Sequence, residues 1–282
     1  MITARFLRPC VLALCLFVMA AGVIARAQQQ EPTEYQPEIG QDGKDVIWIP
    51  TARPLAEKML NLAKVTSRDY VIDLGSGDGR IVIAAAKRSA RALGIEYNPD
   101  LVVLSKRHAI REGVSDKARF VQADIFESDF SQATVITMFL LPELNLRLRP
   151  ILLDLKPGTR IVSNSFDMEE WSPDQSVSVS QQEGCNSTYC EAFLWIVPEK
   201  VEGNWRTTQG DLNLEQRFQM ISGTLKTGRD RLPIANGSLS GNEIRFSIGD
   251  VHYTGQVIGQ TMQGTFQSAG RTGQWRANRI KP

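Results

Sequence analysis

Ten residues, Val71-Ile72-Asp73-Leu74-Gly75-Ser76-Gly77-Asp78-Gly79-Arg80, constrain this chain more than any others. An apolar run breaks into a turn with glycine at alternate positions, and Ile81-Val82-Ile83-Ala84-Ala85-Ala86 follows at once. The pattern predicts a buried strand, a tight turn and a helix, the glycines letting backbone come close to a ligand. In an open parallel sheet such a turn lies beyond the carboxyl end of its strand, where ligands bind.

The surrounding sequence predicts that sheet. Strand-like runs at Tyr70–Leu74, Ala92–Glu96, Arg119–Ala123, Val135–Leu140 and Arg160–Ser163 alternate with helical patterns at Leu55–Val65, Ile81–Ala86, Leu101–Glu112 and Leu144–Leu155. Alternation at this spacing builds a parallel sheet with helices on both faces, an α/β architecture. Val177–Ser180 and Ala192–Val197 have no helix between them and predict an antiparallel edge hairpin, ending a domain of residues 46–198. Twelve of the 22 glycines fall after Pro198, and helical periodicity stops there. Short alternating runs cut by Asn236-Gly237 and Gly249-Asp250 predict a second domain, residues 199–282. It should be a small all-β antiparallel barrel or sandwich of seven or eight strands. Gly203-Asn204-Trp205-Arg206 and Gly273-Gln274-Trp275-Arg276 match one another, so these two strands are expected side by side, closing the barrel with both tryptophans in its core.

Residues 1–27 read as an export signal: Arg5 and Arg8, an apolar run from Val11 to Ile24, then Ala25-Arg26-Ala27 as a cleavage site. The run is shorter than the roughly 18–20 residues of a membrane-spanning helix. The expected location is exported or periplasmic. An uncleaved leader would tether the chain to a membrane, and a start at Met19 would leave it cytoplasmic. Residues 28–45, rich in Gln, Glu, Pro and Gly, read as a flexible leader. Beyond the signal only Cys185 and Cys190 remain, and their spacing in a glycine- and serine-containing stretch suits a disulfide across a turn. His108 and His252 lie far from them in sequence, so no metal site is expected. His108 itself reads as a surface residue in mid-helix.

The 32 Lys and Arg balance 31 Asp and Glu across 282 residues, which leaves no electrostatic footprint for a nucleic-acid binder. The informative charges are local. Asp73 and Asp78 flank the first glycine turn, Glu96 ends the second strand and Asp124 follows the third. Asp78 and Asp100 would also serve as helix caps, but acids recurring at three successive strand ends point to a ligand. Carboxylates there repel a pyrophosphate. They suit a ligand with ammonium and sulfonium charges, ribose hydroxyls and an exocyclic amine, which is S-adenosyl-L-methionine. The dinucleotide fingerprint G-x-G-x-x-G is broken too, because Arg80 stands at its third glycine.

Asp73 to Arg80 resembles motif I of class I S-adenosylmethionine-dependent methyltransferases, and Gly94-Ile95-Glu96-Tyr97-Asn98-Pro99 resembles their next segment. Trp48-Ile49-Pro50-Thr51 and Gly79-Arg80-Ile81-Val82-Ile83-Ala84-Ala85 are similar to the mitochondrial lysine methyltransferases of ATP synthase c-subunit and adenine nucleotide translocase. The likeness covers about Val46 to Pro173. It implies a Rossmann-like fold and transfer of a methyl group to a protein lysine by direct displacement. It also implies that Asp73 and the Gly75-Ser76-Gly77-Asp78-Gly79 backbone hold the methionine moiety. Glu96 would accept the ribose hydroxyls beside Tyr97 and Asn98, Asp124 would take the adenine amine and Ile125 would pack the ring. Trp48, Pro50 and Thr51 would lie over cofactor and acceptor. Phe139-Leu140-Leu141-Pro142 stands where nucleic-acid amino methyltransferases carry Asn-Pro-Pro-aromatic, so Phe139, Leu140 and Pro142 are read as acceptor-side residues and base methylation is disfavoured. No acid–base pair is assigned. The rival reading is an exported, non-catalytic protein that binds a nucleoside-like ligand and docks through its β domain.

Overall fold

The computed structural model describes residues 34–280, so the expected export signal, with Cys10, Cys15 and Met19, lies outside the described residues. The chain runs through α1 (Arg53–Leu62), β1 (Tyr70–Leu74), α2 (Arg80–Lys87), β2 (Arg91–Glu96), α3 (Pro99–Arg111), β3 (Ala118–Gln122), β4 (Val135–Met138), α4 (Pro142–Leu153) and β5 (Arg160–Asn164). The hairpin β6 (Gln175–Ser178) and β7 (Glu191–Ile196) follows. These strands form one seven-stranded sheet in the order β3-β2-β1-β4-β5-β7-β6. The first five are parallel; β7 runs antiparallel to both β5 and β6. This is the α/β sheet with an antiparallel edge hairpin expected from the sequence.

Strand order reverses at β1, which pairs with β2 through Asp73↔Gly94 and with β4 through Asp73↔Thr137. A reversal opens a crevice beyond the strand ends, because the connections leave on opposite faces of the sheet. Leu55, Ala56, Met59 and Leu60 of α1 pack with Val82, Ala85 and Ala86 of α2 and Val102 and Ala109 of α3 on one face. Leu148 and Leu152 of α4 cover the other, together with Trp171 and Trp195.

Two boundaries differ from expectation. Strand β4 stops at Met138 because the chain turns there, sending Phe139 and Leu140 to the rim of the crevice. Pro142 is the first residue of α4, where its fixed φ fits a helix start and its missing N–H costs nothing. Strand β6 begins and ends two residues early, since the Ser180 N–H donates to Glu183 Oε2 at 2.9 Å rather than to a strand.

The rest of the described chain is β8 (Gly203–Thr207), β9 (Asp211–Arg217), β10 (Met220–Thr227), β11 (Asp230–Ser240), β12 (Glu243–Ile248), β13 (Val251–Ile258), β14 (Thr261–Ser268) and β15 (Arg271–Arg279). They close into an antiparallel barrel, not a sandwich. The two Trp-bearing strands are neighbours: β15 pairs with β8 through Ala277↔Thr207 and Arg279↔Trp205. Trp205 and Trp275 are both buried in the barrel core. At the junction with the sheet, Trp171 stacks on Phe218 with ring centroids 6.0 Å apart, and Gln219 Nε2 donates to Ser172 O at 2.7 Å.

Candidate cofactor and acceptor site

A cavity open to solvent lies beyond the carboxyl ends of β1, β2 and β4. Its floor is the turn between β1 and α2. The Gly75 and Ser76 N–H groups both donate to Ile95 O, at 2.9 and 3.0 Å, which ties the turn to β2. Gly77 has φ +53, and a Cβ there would lie 2.8 Å from Trp48 Nε1, so only glycine lets the tryptophan close down on the turn. Gly79 has a different task. It caps α2 at φ +83, and a Cβ would come within 2.7 Å of the Phe120 ring and 2.8 Å of Ser105 Cβ. The close helix–strand packing that the third glycine of a dinucleotide fingerprint provides is thus supplied one residue early.

Acids converge on this cavity as their positions predict. Asp73 is buried, and Thr137 Oγ1 donates to its Oδ1 at 2.6 Å. Loss of solvation, reinforced by the nearby Glu96 and Asp78 carboxylates and opposed by that hydrogen bond, pushes Asp73 up to about 7. Glu96 is held by both of its oxygens: the Gly77 N–H donates to Oε2 and the Asn98 N–H to Oε1, each at 2.8 Å. Asn98 also caps α3, its Oδ1 accepting from the Asp100 N–H at 2.9 Å. Asp100, a possible cap by sequence, therefore receives the cap instead. Asp78 is turned toward α2 and gripped by Arg80 Nε and Nη2 at 2.9 and 2.6 Å. Burial alone would raise its pKa, but the Arg80 guanidinium more than offsets this and holds it low.

Of the residues singled out by sequence, Trp48, Pro50, Thr51, Asp73, Gly75, Ser76, Gly77, Asp78, Glu96, Tyr97, Asn98, Asp124, Ile125, Phe139 and Leu140 all line the cavity. Gly79 and Pro142 do not: the first packs behind the turn, and the second starts α4. His108 is no free surface residue either. Its Nδ1 lies 2.9 Å from Asp78 O, buttressing the turn from behind. Cys185 and Cys190 are bonded, with Cα atoms 5.9 Å apart.

Several contributors carry no sequence signal. The stretch read as a flexible leader makes specific contacts: the Gly40 N–H donates to Trp48 O and the Trp48 N–H to Gln41 O, both at 2.9 Å. This loop carries Lys44 to the cavity, where it pairs with Asp124 and sits 5.0 Å from the Tyr97 ring centroid. The ion pair holds the Asp124 carboxyl below the usual range. Arg80, which by sequence only breaks a glycine motif, donates from Nη1 to Thr51 O at 2.7 Å and so joins the Trp48–Thr51 loop to the turn.

The cavity fits a cationic nucleoside ligand. A buried carboxyl raised by its surroundings gains most from a bound positive charge, and Ser76, which also lines the cavity, has a buried Oγ with no hydrogen-bond partner. The ANTKMT methyltransferase domain model matches residues 73–175, which span the turn, the acidic strand ends, β4 and β5. A protein-lysine N-methyltransferase of Saccharolobus islandicus is 40% identical over 157 residues, covering 55% of this chain and 95% of that protein. The chain belongs to this methyltransferase family. It is an S-adenosylmethionine-dependent methyltransferase. The lysine N-methyltransferase of the ATP synthase c-subunit from Homo sapiens is 37% identical over 128 residues, and here the match spans 54% of the human protein and 45% of the chain. A crystal structure described as an RNA methyltransferase from Salinibacter ruber with S-adenosyl-L-homocysteine superimposes with TM-score 0.50 at 46% identity, covering 96% of that chain and 54% of this methyltransferase.

Proposed function

We propose that this methyltransferase acts on the side-chain amine of a protein lysine. The single observation that carries the reading is the relative at 40% identity, matched over nearly its whole length and described as acting on protein lysine. The cofactor supplies an electrophilic methyl on a sulfonium. Asp73, the Gly75–Gly77 backbone and Glu96 are the residues that would hold it, with Asp124 and Ile125 at the adenine end.

What this chain adds is alignment and exclusion of water. Transfer needs the acceptor nitrogen, methyl carbon and sulfur in line, so positioning supplies much of the acceleration. Trp48, set over Gly77, and Leu140, buried just beyond β4, are the apolar surfaces that would shield that line. The acceptor must arrive as a free amine. An apolar approach lowers an ammonium's pKa and favours loss of its proton, so no dedicated base is required.

The Salinibacter ruber relative supports a second reading, an RNA acceptor. Phe139-Leu140-Leu141-Pro142 and a net charge of +1 weigh against it. The two separate in one experiment: wild-type protein and methyl-labelled S-adenosylmethionine are incubated with a lysate, and the labelled polymer is hydrolysed. Labelled Nε-methyllysine supports the proposal. Label confined to nucleosides overturns it.

We also propose that the protein is exported. The signal-like residues 1–27 and the Cys185–Cys190 bond support this. Mass spectrometry of the native chain should find Gln28 at its start; an intact Met1 would contradict export by cleavage.

A further inference from the structure

Three aromatic rings from three separate segments meet on the β4–β5 side of the cavity. Phe139 follows β4 and lines the cavity, Phe166 follows β5, and Tyr189 leads into β7. Because β7 is antiparallel to β5, its beginning lies beside the end of β5, and the Ser165 N–H donates to Glu191 O at 2.8 Å. Ring centroids are 5.2 Å apart for Phe139 and Tyr189, 6.0 Å for Phe166 and Tyr189, and 6.2 Å for Phe139 and Phe166. All three rings are partly exposed. A core cluster would bury such rings fully, so three partly exposed rings, one of them lining the cavity, call for another explanation.

Two of the rings have struts of their own. Phe166 is held by Asn145 of α4, whose buried Nδ2 donates to Phe166 O at 3.1 Å and Asp167 O at 3.2 Å. Just before it, Ser165 takes φ +60, a left-handed conformation that costs a serine energy and is kept where the surroundings enforce it. Tyr189 is held by the disulfide: Cys185 is buried against α1, and Cys190, bonded to it, directly follows Tyr189. A strained residue, a buried amide and a crosslink therefore place rings that contribute little to the core. The bordering charges are Asp167 and Glu191, both exposed.

We propose that Phe139, Phe166 and Tyr189 form the subsite for the acceptor's alkyl-ammonium chain. The ring faces take the methylenes and attract the ammonium, which gives its proton to solvent water at the open side of the cavity before the free amine moves inward, and Asp167 and Glu191 favour a basic segment around it. The disulfide positions Tyr189 and so makes acceptor affinity depend on its integrity. The acid-lined half of the cavity over β1 and β2 is left to the cofactor. This inference rests on the lysine reading above and extends it by naming where the lysine enters.

The test uses the full chain saturated with S-adenosylhomocysteine, titrated with Nα-acetyl-lysine amide and with its norleucine counterpart, which lacks the ammonium. The lysine amide should shift the Tyr189 and Phe166 ring resonances and bind at least about threefold tighter than norleucine amide. Tyr189→Ala should weaken it about fivefold, Tyr189→Phe should restore it, and reduction of the disulfide should act like Tyr189→Ala. S-adenosylhomocysteine affinity should stay within about twofold throughout, which a merely misfolded variant would not show. No saturable binding of the lysine amide, equal binding of norleucine amide, or unchanged affinity in Tyr189→Ala and Phe166→Ala overturns the subsite. Failure of the lysine reading registers separately, as absence of methyllysine in the labelled hydrolysate of the wild type.

Discussion

Thr137 and Asp73 face one another across the β1–β4 pair, and the threonine hydroxyl donates to the carboxyl at 2.6 Å, both residues being buried. The hydrogen bond fixes Asp73 toward the cavity, while burial and the carboxylates of Glu96 and Asp78 raise it to about 7. A carboxyl in that state is poised to ionise when a cation arrives.

Binding of S-adenosylmethionine should therefore be coupled to proton release below about pH 7. In the free protein Asp73 is largely protonated there, and a bound ammonium or sulfonium favours its ionised form. Calorimetry in buffers of different ionisation enthalpy should show close to one proton released near pH 6, with the release fading as pH rises through about 7. Affinity should rise with pH up to about 7. Asp73→Asn should abolish the release. A proton count independent of pH would contradict this account of Asp73.

Gly79→Ala should damage the fold. The new Cβ meets Phe120 and Ser105 in a well-packed layer, and the residue must also keep φ +83. Overpacking and strain of this kind cost about 2–3 kcal/mol, or roughly 5–10 °C in Tm. Thermal unfolding followed by circular dichroism checks it, and an unchanged Tm would show that α2 can shift without penalty.

Lys44 pairs with the carboxyl that the family resemblance gives to the adenine amine. The two uses compete, so Lys44→Ala should tighten S-adenosylhomocysteine binding by a few-fold, as expected for loss of one partly exposed ion pair. Added salt should tighten wild-type binding toward the variant's. Weaker binding by Lys44→Ala would make the loop a clasp on the ligand instead of a competitor for Asp124.

Much of the fold is legible in the sequence because its signals are local. Alternation of apolar runs announces the strands, and the absence of a helix between Val177 and Ala192 announces the edge hairpin. The matched Trp205 and Trp275 segments anticipate the barrel's closing pair. Asp73 and Glu96 are legible for a topological reason: a residue at the end of a parallel strand must face the crevice wherever its neighbours go. Other contributors depend on contacts distant in sequence. Lys44 reaches Asp124 across 80 residues, and the loop carrying it has a composition that suggests only flexibility. Phe166 and Tyr189 meet Phe139 only because β7 turns back along β5, and no spacing in the sequence announces that. His108 reads as a surface residue because its hydrogen bond is made to backbone, which leaves no trace in residue type.

The most direct test of the account is calorimetric titration of the wild type and Glu96→Ala with S-adenosylmethionine, with reduced nicotinamide adenine dinucleotide as control. The wild type should show one saturable site, and the variant should bind roughly tenfold to hundredfold more weakly, the worth of hydrogen bonds to a charged acceptor. The dinucleotide should give no heat. Equal affinity of Glu96→Ala and wild type, or saturable binding of the dinucleotide in this cavity, would contradict it.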